Sequence, residues 1–216
     1  MLPPDVLPLF PLPDHVLLPG VPVPFRIFEP RYLTLVADLE ALPEEERWLV
    51  VPRLVEGWKI DYLGRPLFLP IATAARLVRV QPLDPGESLI VVEGALRIRL
   101  DEIPSTKPYR LAHWAPLPDE AAPSDATVMA AEQVLAKVRI LARRVGDGAE
   151  QLTELAESDD RVLAADRLAA LLLSDPDARQ WHLECRNPTE RLTQFVRHLT
   201  TQLGPGAGGA WEFSRN

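Results

Sequence analysis

The sequence predicts an α+β protein, β-rich to about residue 120 and closed by a small antiparallel helical bundle over residues 121–203. Three observations predict it. Most of the 23 prolines lie before residue 124, and proline suits edge strands and turns rather than helix interiors. Between Trp48 and Leu117 short alternating segments follow one another at turn-bounded intervals, the pattern of a closed or nearly closed β-structure. After Pro123 the period changes to that of capped amphipathic helices.

The first residues are extended. Leu7 and Leu9 share one face of Val6–Leu9, and Pro19-Gly20 is a turn signal. Val21, Val23, Phe25 and Ile27 then alternate with Pro22, Pro24 and Arg26, which describes a proline-marked edge strand. Glu29-Pro30 opens a short helix, because proline's missing N–H costs nothing in a first turn. Tyr32, Leu33, Val36 and Leu39 form its apolar stripe.

Strands are expected at 48–54, 71–80, 88–92, 95–103 and 110–117. Leu96, Ile98 and Leu100 should point inward and Arg97 and Arg99 outward. Gly94 marks a tight turn or bulge, and Asp84-Pro85-Gly86 marks a turn. Ser124 or Asp125 caps a helix to about Val145, with Val128, Leu135, Val138 and Leu141 on one side, and Gly146-Asp147-Gly148 ends it. Ser158 caps the next helix, Asp175-Pro176 the third, and Asn187-Pro188 the last, with Glu190 placed to reach back to the cap. Leu192, Phe195, Val196, Leu199 and Leu203 form its stripe, and Gly204-Pro205 stops it. Residues 204–216 read as a flexible tail in which Trp211 and Phe213 are bystanders or a short partner motif.

Composition narrows the function. The net charge is −8, and only three basic residues are lysines, Lys59, Lys107 and Lys137. An acidic chain repels phosphate backbones, which argues against nucleic acid unless Arg76, Arg79, Arg97 and Arg99 form one basic face. The single cysteine, Cys185, excludes an intramolecular disulfide. No apolar stretch approaches a membrane span, and the N-terminus has no basic region before its apolar residues, so a cytoplasmic location is expected.

No catalytic constellation is evident. Gly204–Gly209 has glycines without the lysine of a phosphate-binding loop, and no serine sits in a G-x-S-x-G elbow. His182 and Cys185 share a helical face, but a structural zinc needs about four ligands; a core cysteine beside a surface histidine is the plainer reading. No cofactor or metal is expected.

The segment LPLFPLPDHVLLPGVPVPFRIFEPRY, Leu7 to Tyr32, resembles the opening of the Lon protease N-terminal domain family. Its parts are Pro8–Leu12, Pro19-Gly20 and Phe28-Glu29-Pro30-Arg31-Tyr32. A hairpin-like V-x-G-x-x-R-x-R at Val92–Arg99, Tyr109-Arg110, and Arg179-Gln180 with Leu183-Glu184 extend the likeness to about residues 5–203. The resemblance implies a PUA-like β-subdomain over 1–120 followed by the bundle. It also implies a non-catalytic, free-standing module, without ATPase or protease domains, that binds unfolded polypeptide or a protein partner. PUA-like RNA binding is the alternative. Arg26, Glu29, Arg31 and Tyr32 of the motif are expected to be structural. Trp58, Tyr62 and Phe68, in a glycine-punctuated loop, are the candidate peptide contacts, since aromatics bury large area at small entropic cost.

Overall fold

A computed structural model describes residues 2–203 except 63, 84, 147 and 148. The first residue of the Asp84-Pro85-Gly86 turn, the last two of Gly146-Asp147-Gly148, the Gly204-Pro205 stop and the tail with Trp211 and Phe213 lie outside the described residues. Two compact units are formed. Unit 1 comprises Met1–Pro118 with Asp175–Leu183, and unit 2 comprises Asp119–Ser174 with the chain after Leu183.

Unit 1 is built on one sheet: β1 (Val6–Leu9), β2 (Pro22–Ile27), β3 (Trp48–Val50), β4 (Ile71–Pro82), β5 (Ser88–Ile103) and β6 (Arg110–Pro116). Their order is β2-β5-β4-β3-β1-β6, and β6 also pairs with β5. Five strands therefore close on themselves, and β2 hangs on the first half of β5 as an edge, where its two prolines are tolerated. Closure is possible because β5 is long. It pairs with β2 through Ser88–Glu93 and with β6 through Ile98–Ile103, while β4 runs along its other side. All pairings are antiparallel except β1 with β3.

The expected break at Gly94 is a bulge inside one continuous strand, not a hairpin. The register slips between Ala74 and Ala75 opposite it. Gly94 is required by close approach: a Cβ there would lie 2.6 Å from the Leu18 carbonyl oxygen and 3.0 Å from Thr73 Cγ2. The Gly94 carbonyl accepts from Gly20 N–H at 2.8 Å, so the Pro19-Gly20 turn is pinned directly onto the bulge.

Helix α1 (Pro30–Glu40) buries Tyr32, Leu35, Val36 and Leu39 against Phe10, Leu49, Leu77 and Ile90. Leu35 replaces the expected Leu33, which is only partly buried. The opposite faces of the strands pack Leu7, Leu9, Trp48, Val50, Ile98 and Leu100 together.

Unit 1 also includes α5 (Pro176–Glu184) up to Leu183, a helix that sequence reading groups with the bundle. Two side chains fasten it to backbone of the β-subdomain, one in the β1–β2 connection and one at the start of β4. Arg179 Nε donates to the Val16 carbonyl at 2.7 Å, and Gln180 Nε2 donates to the Ile71 carbonyl at 3.1 Å. Burial lowers the Arg179 guanidinium to about 10.

His15 lies close to the same place. It meets Phe25 edge-on at 4.9 Å, and its Nε2 is buried with no hydrogen-bond partner among the described residues. Burial first, and then Arg179, lower it from 6.5 to about 4. The unfolded chain therefore takes up this proton near pH 6.5 and the folded chain only near pH 4, so stability falls as pH drops through that window. About 2 kcal/mol should be lost by pH 5. Urea denaturation at pH 7 and pH 5 checks this: His15→Leu should lose clearly less than the native chain between the two, and an equal loss would clear His15 of the effect.

Unit 2 contains α2 (Asp125–Val145), α3 (Glu150–Ala156), α4 (Arg161–Leu172) and α6 (Pro188–Leu203). Helix α2 is its spine and packs against the other three. Its N-terminus is a capping box in which Ser124 and Thr127 satisfy one another's backbone donors. Leu135, Val138 and Leu141 are fully buried, whereas Val128 faces solvent. Phe195 of α6 is 1% exposed, and burying such a ring contributes roughly 2–3 kcal/mol. Asp160, not Ser158, caps α4, accepting from Leu163 N–H at 3.0 Å. Asn187 caps α6 by accepting from Glu190 N–H at 3.1 Å. Arg191 is buried and forms a paired bridge to Asp166, Nε at 2.9 Å and Nη2 at 2.7 Å, and a further bond to Asp119 at 2.8 Å.

Candidate functional site

Three of the motif residues expected to be structural and two of the candidate peptide contacts come together at one place in unit 1, at the junction between β2 and α1. Glu29 occupies the N-cap position of α1, yet its side chain caps nothing. Its carboxylate is committed elsewhere. Oε2 accepts from Arg31 Nε at 2.9 Å, and Oε1 accepts from the hydroxyl of Tyr62. Arg31 in turn lies between two rings, 4.6 Å from the centroid of Tyr32 and 5.2 Å from that of Tyr62. Pro30 makes this geometry possible, since it starts the helix without a donor and leaves Glu29 extended. Burial, followed by the Glu29 hydrogen bond, raises the Tyr62 hydroxyl, so it stays a donor.

Tyr62 ends a short 3-10 turn, Trp58–Asp61, entered through Gly57 at φ 90. L side chains rarely adopt that conformation. The turn sits on a two-ply stalk. Val55 N–H donates to the Leu67 carbonyl and Leu69 N–H to the Arg53 carbonyl, both at 2.8 Å, around the Leu54–Phe68 bridge. Trp58 meets Tyr62 at 5.3 Å in an edge-on pair. Phe68 lies lower, packed against the second core cluster, with the Arg110 guanidinium 4.5 Å above its ring. Ile60 is 93% exposed and Leu67 75% exposed, so the tip and flank of the stalk present apolar surface to solvent.

Of the motif residues, Glu29, Arg31 and Tyr32 belong to this cluster. Arg26 does not; it pairs with Glu87 on the edge of the sheet. Of the loop aromatics, Trp58 and Tyr62 are at the cluster and Phe68 is in the wall beneath it. Sequence reading treated the motif and the loop as separate features. The bond between Tyr62 and Glu29 that joins them spans 33 residues, and no local signal marks it.

Beside the cluster is a cavity of about 190 Å³ lined by Arg31, Tyr32, Arg65, Lys107, Tyr109 and Arg110, among others. Every charged residue in that lining is a cation. The carboxylates that hold them stand outside it. Glu102 takes Arg65 at 2.7 Å and Arg110 at 2.6 Å, and Asp38 takes Lys107 at 2.8 Å together with the Tyr109 hydroxyl. Hydrogen bonding from Arg110 holds the Glu102 carboxyl below its usual range, and Lys107 does the same for Asp38.

The four arginines proposed for a nucleic-acid face fall into two pairs along the β4–β5 ladder, on either side of the bulge. Arg97 and Arg99 stand opposite Thr73 and Ile71, while Arg76 and Arg79 stand opposite Glu93 and Val91 beyond the bulge. No group of three or more potential metal ligands occurs among the described residues. His182 is buried and Cys185 is partly exposed, the reverse of the sequence expectation. Among the described residues no helix is long and apolar enough to cross a membrane.

Comparison with known proteins gives a consistent result. A family model described as the ATP-dependent protease La (LON) substrate-binding domain matches residues 6–201. The chain is 26% identical over 208 residues to the Lon protease of Citrifermentans bemidjiense, covering 93% of this chain and 25% of that protein. It is 30% identical over 197 residues to the Lon protease of Roseiflexus castenholzii, covering 91% and 24%. The chain thus spans about a quarter of the length of these relatives. The N-terminal domain of Mycobacterium avium complex Lon protease has the same fold, with a TM-score of 0.70, 18% identity, and coverage of 92% of this chain and 100% of that one. The Lon N-terminal domain protein from Xanthomonas campestris aligns with a TM-score of 0.60 and 22% identity, covering 89% and 97%.

Proposed function

We propose a function from one premise: the chain belongs to the LON substrate-binding domain family. That domain is non-catalytic and recognises substrate rather than cleaving it. The reading proposed for this chain is that it binds unfolded polypeptide in the cytoplasm through the stalk of unit 1, with Trp58, Tyr62, Ile60 and Leu67 in contact and Phe68 as the floor beneath them. Delivery to a protease belongs to the same proposal.

The observation that carries it is the exposure of Ile60 and Leu67 on a loop anchored at its base and at Tyr62. A contiguous apolar patch marks a place where another apolar surface docks, and Ile60 and Leu67 are the two most exposed large apolar side chains among the described residues. A floppy loop would lose entropy on binding. This one is anchored at its base by the stalk hydrogen bonds and at Tyr62 by the bond to Glu29, which lowers that cost. Unfolded chains expose the apolar residues that such a surface buries.

Fluorescence anisotropy with a labelled, permanently unfolded polypeptide tests the reading. Saturable binding is expected, and Ile60→Ser with Leu67→Ser should weaken it by about tenfold, roughly 1.4 kcal/mol. These side chains are exposed, so the variant should fold normally by circular dichroism. Binding unchanged in a folded variant would remove the stalk from the proposal.

A further inference from the structure

We infer that the cationic cavity beside the stalk is a carboxylate site, which accepts an acidic side chain or the chain terminus of the bound polypeptide. The inference rests on the recognition reading above and adds to it the chemistry of the segment preferred.

The cavity is short of acceptors and rich in donors. Arg31 bonds to Glu29 and to the Tyr62 carbonyl through Nε and Nη2, which leaves Nη1 without a partner among the described residues. Among the described residues Arg65 bonds through its side chain to Glu102 alone, by Nη2, leaving its Nε and Nη1. Tyr32 is 3% exposed, and its hydroxyl has no hydrogen-bond partner among the described residues although the residue forms part of the cavity wall. The hydroxyl oxygen is not fully enclosed, so it is free to donate to a ligand that enters the cavity. Lys107 uses Nζ on a single carboxylate and has three N–H donors.

Size and charge select the ligand. A carboxylate offers two oxygens and about four lone pairs, enough for a guanidinium, a second guanidinium and a phenol together. It fits within about 190 Å³ with room for the methylene groups of a glutamate beside Leu9, Pro11 and Pro108. Cations do not fit, because every charged group in the lining is positive. Arg31 belongs both to this cavity and to the Tyr62 cluster, so a polypeptide lying on the stalk can place a carboxylate in the cavity without leaving the stalk.

Four labelled peptides of one apolar sequence test this against the full chain: a central Glu or Gln, each ending in a free carboxylate or an amide. The native chain should bind a carboxylate-bearing peptide about tenfold more tightly than the Gln amide at low salt. Whichever carboxylate gives the gain identifies its source. Arg65→Gln, at an exposed position outside the stalk contacts, should cut that preference to about twofold and leave the Gln amide unaffected, and Tyr32→Phe should also reduce the preference. Equal binding of all four peptides would overturn the carboxylate site while leaving polypeptide recognition intact. Binding of none would instead overturn the recognition reading, and N-acetylglutamate then decides the cavity. Shifts of the Arg31 and Arg65 side-chain N–H resonances on its addition uphold the site, their absence overturns it, and larger shifts with inorganic phosphate would reassign it.

Discussion

Arg191→Ala should destabilise unit 2 by about 3 kcal/mol, measured as the shift in urea denaturation of the full chain. The guanidinium is 4% exposed and holds Asp166 and Asp119, whose carboxylates are 28% and 29% exposed. It also donates to the Cys185 carbonyl at 3.1 Å. Removing it takes the counter-charge from both carboxylates and a donor from the Cys185 carbonyl, and leaves a hole where the stem packed. The carboxylates retain some solvent, which places the expected loss at the lower end of the range for broken buried pairs. Arg191→Lys keeps the charge but cannot make the paired bridge to Asp166, so it should recover only part of the loss. A loss below about 1 kcal/mol for the alanine variant would mean that solvent screens the triad more than its burial implies.

Gly94→Ala should cost about 2–3 kcal/mol for the addition of one methyl group. Its ideal Cβ falls 2.6 Å from the Leu18 carbonyl oxygen and 3.2 Å from the carbonyl carbon, which are backbone atoms that cannot rotate away. Relief requires the Pro19-Gly20 turn to lift off β5, which loosens the 2.8 Å bond from Gly20 to Gly94. Gly86→Ala is a useful contrast. It is strained by a φ of 89 but has no atom within 4 Å of its Cβ, so its loss should be smaller and confined to the turn. If the two variants lost the same stability, conformational strain rather than collision would govern the glycine in β5.

The strand pattern was legible because alternation is local. Leu7 and Leu9, Ile98 and Leu100, and the proline-marked edge strand β2 could all be read from neighbours in sequence. Closure of the sheet was not, since it depends on β5 serving two partners along one edge, and that is a matter of length and register. Helix α3 escaped notice because it has seven residues and buries only Leu152 and Ala156, too few to establish a period. Asp160 displaced Ser158 as a cap because the chain turns into the helix two residues later than the serine. The site divides in the same way. Trp58, Tyr62 and the Glu29-Pro30-Arg31 motif were visible singly as residue types in suggestive settings. Their union through the Tyr62 hydroxyl was not, and neither were the cavity residues Arg65, Lys107 and Arg110, which are scattered arginines and a lysine until the strands bring them together.

The position of α5 bears on the order in which the protein can be completed. Unit 1 takes its last element from residues 175–183, after fifty-six residues of unit 2 have already passed. On a ribosome the strands emerge first, yet the Val16 and Ile71 carbonyls must wait for Arg179 and Gln180 to arrive. The bundle likewise lacks α6 until then. The two units therefore mature together only once residues 175–203 have been made, and a chain interrupted near residue 120 would leave both unfinished. Neither should be recovered as a stable fragment by cutting the gene at that point.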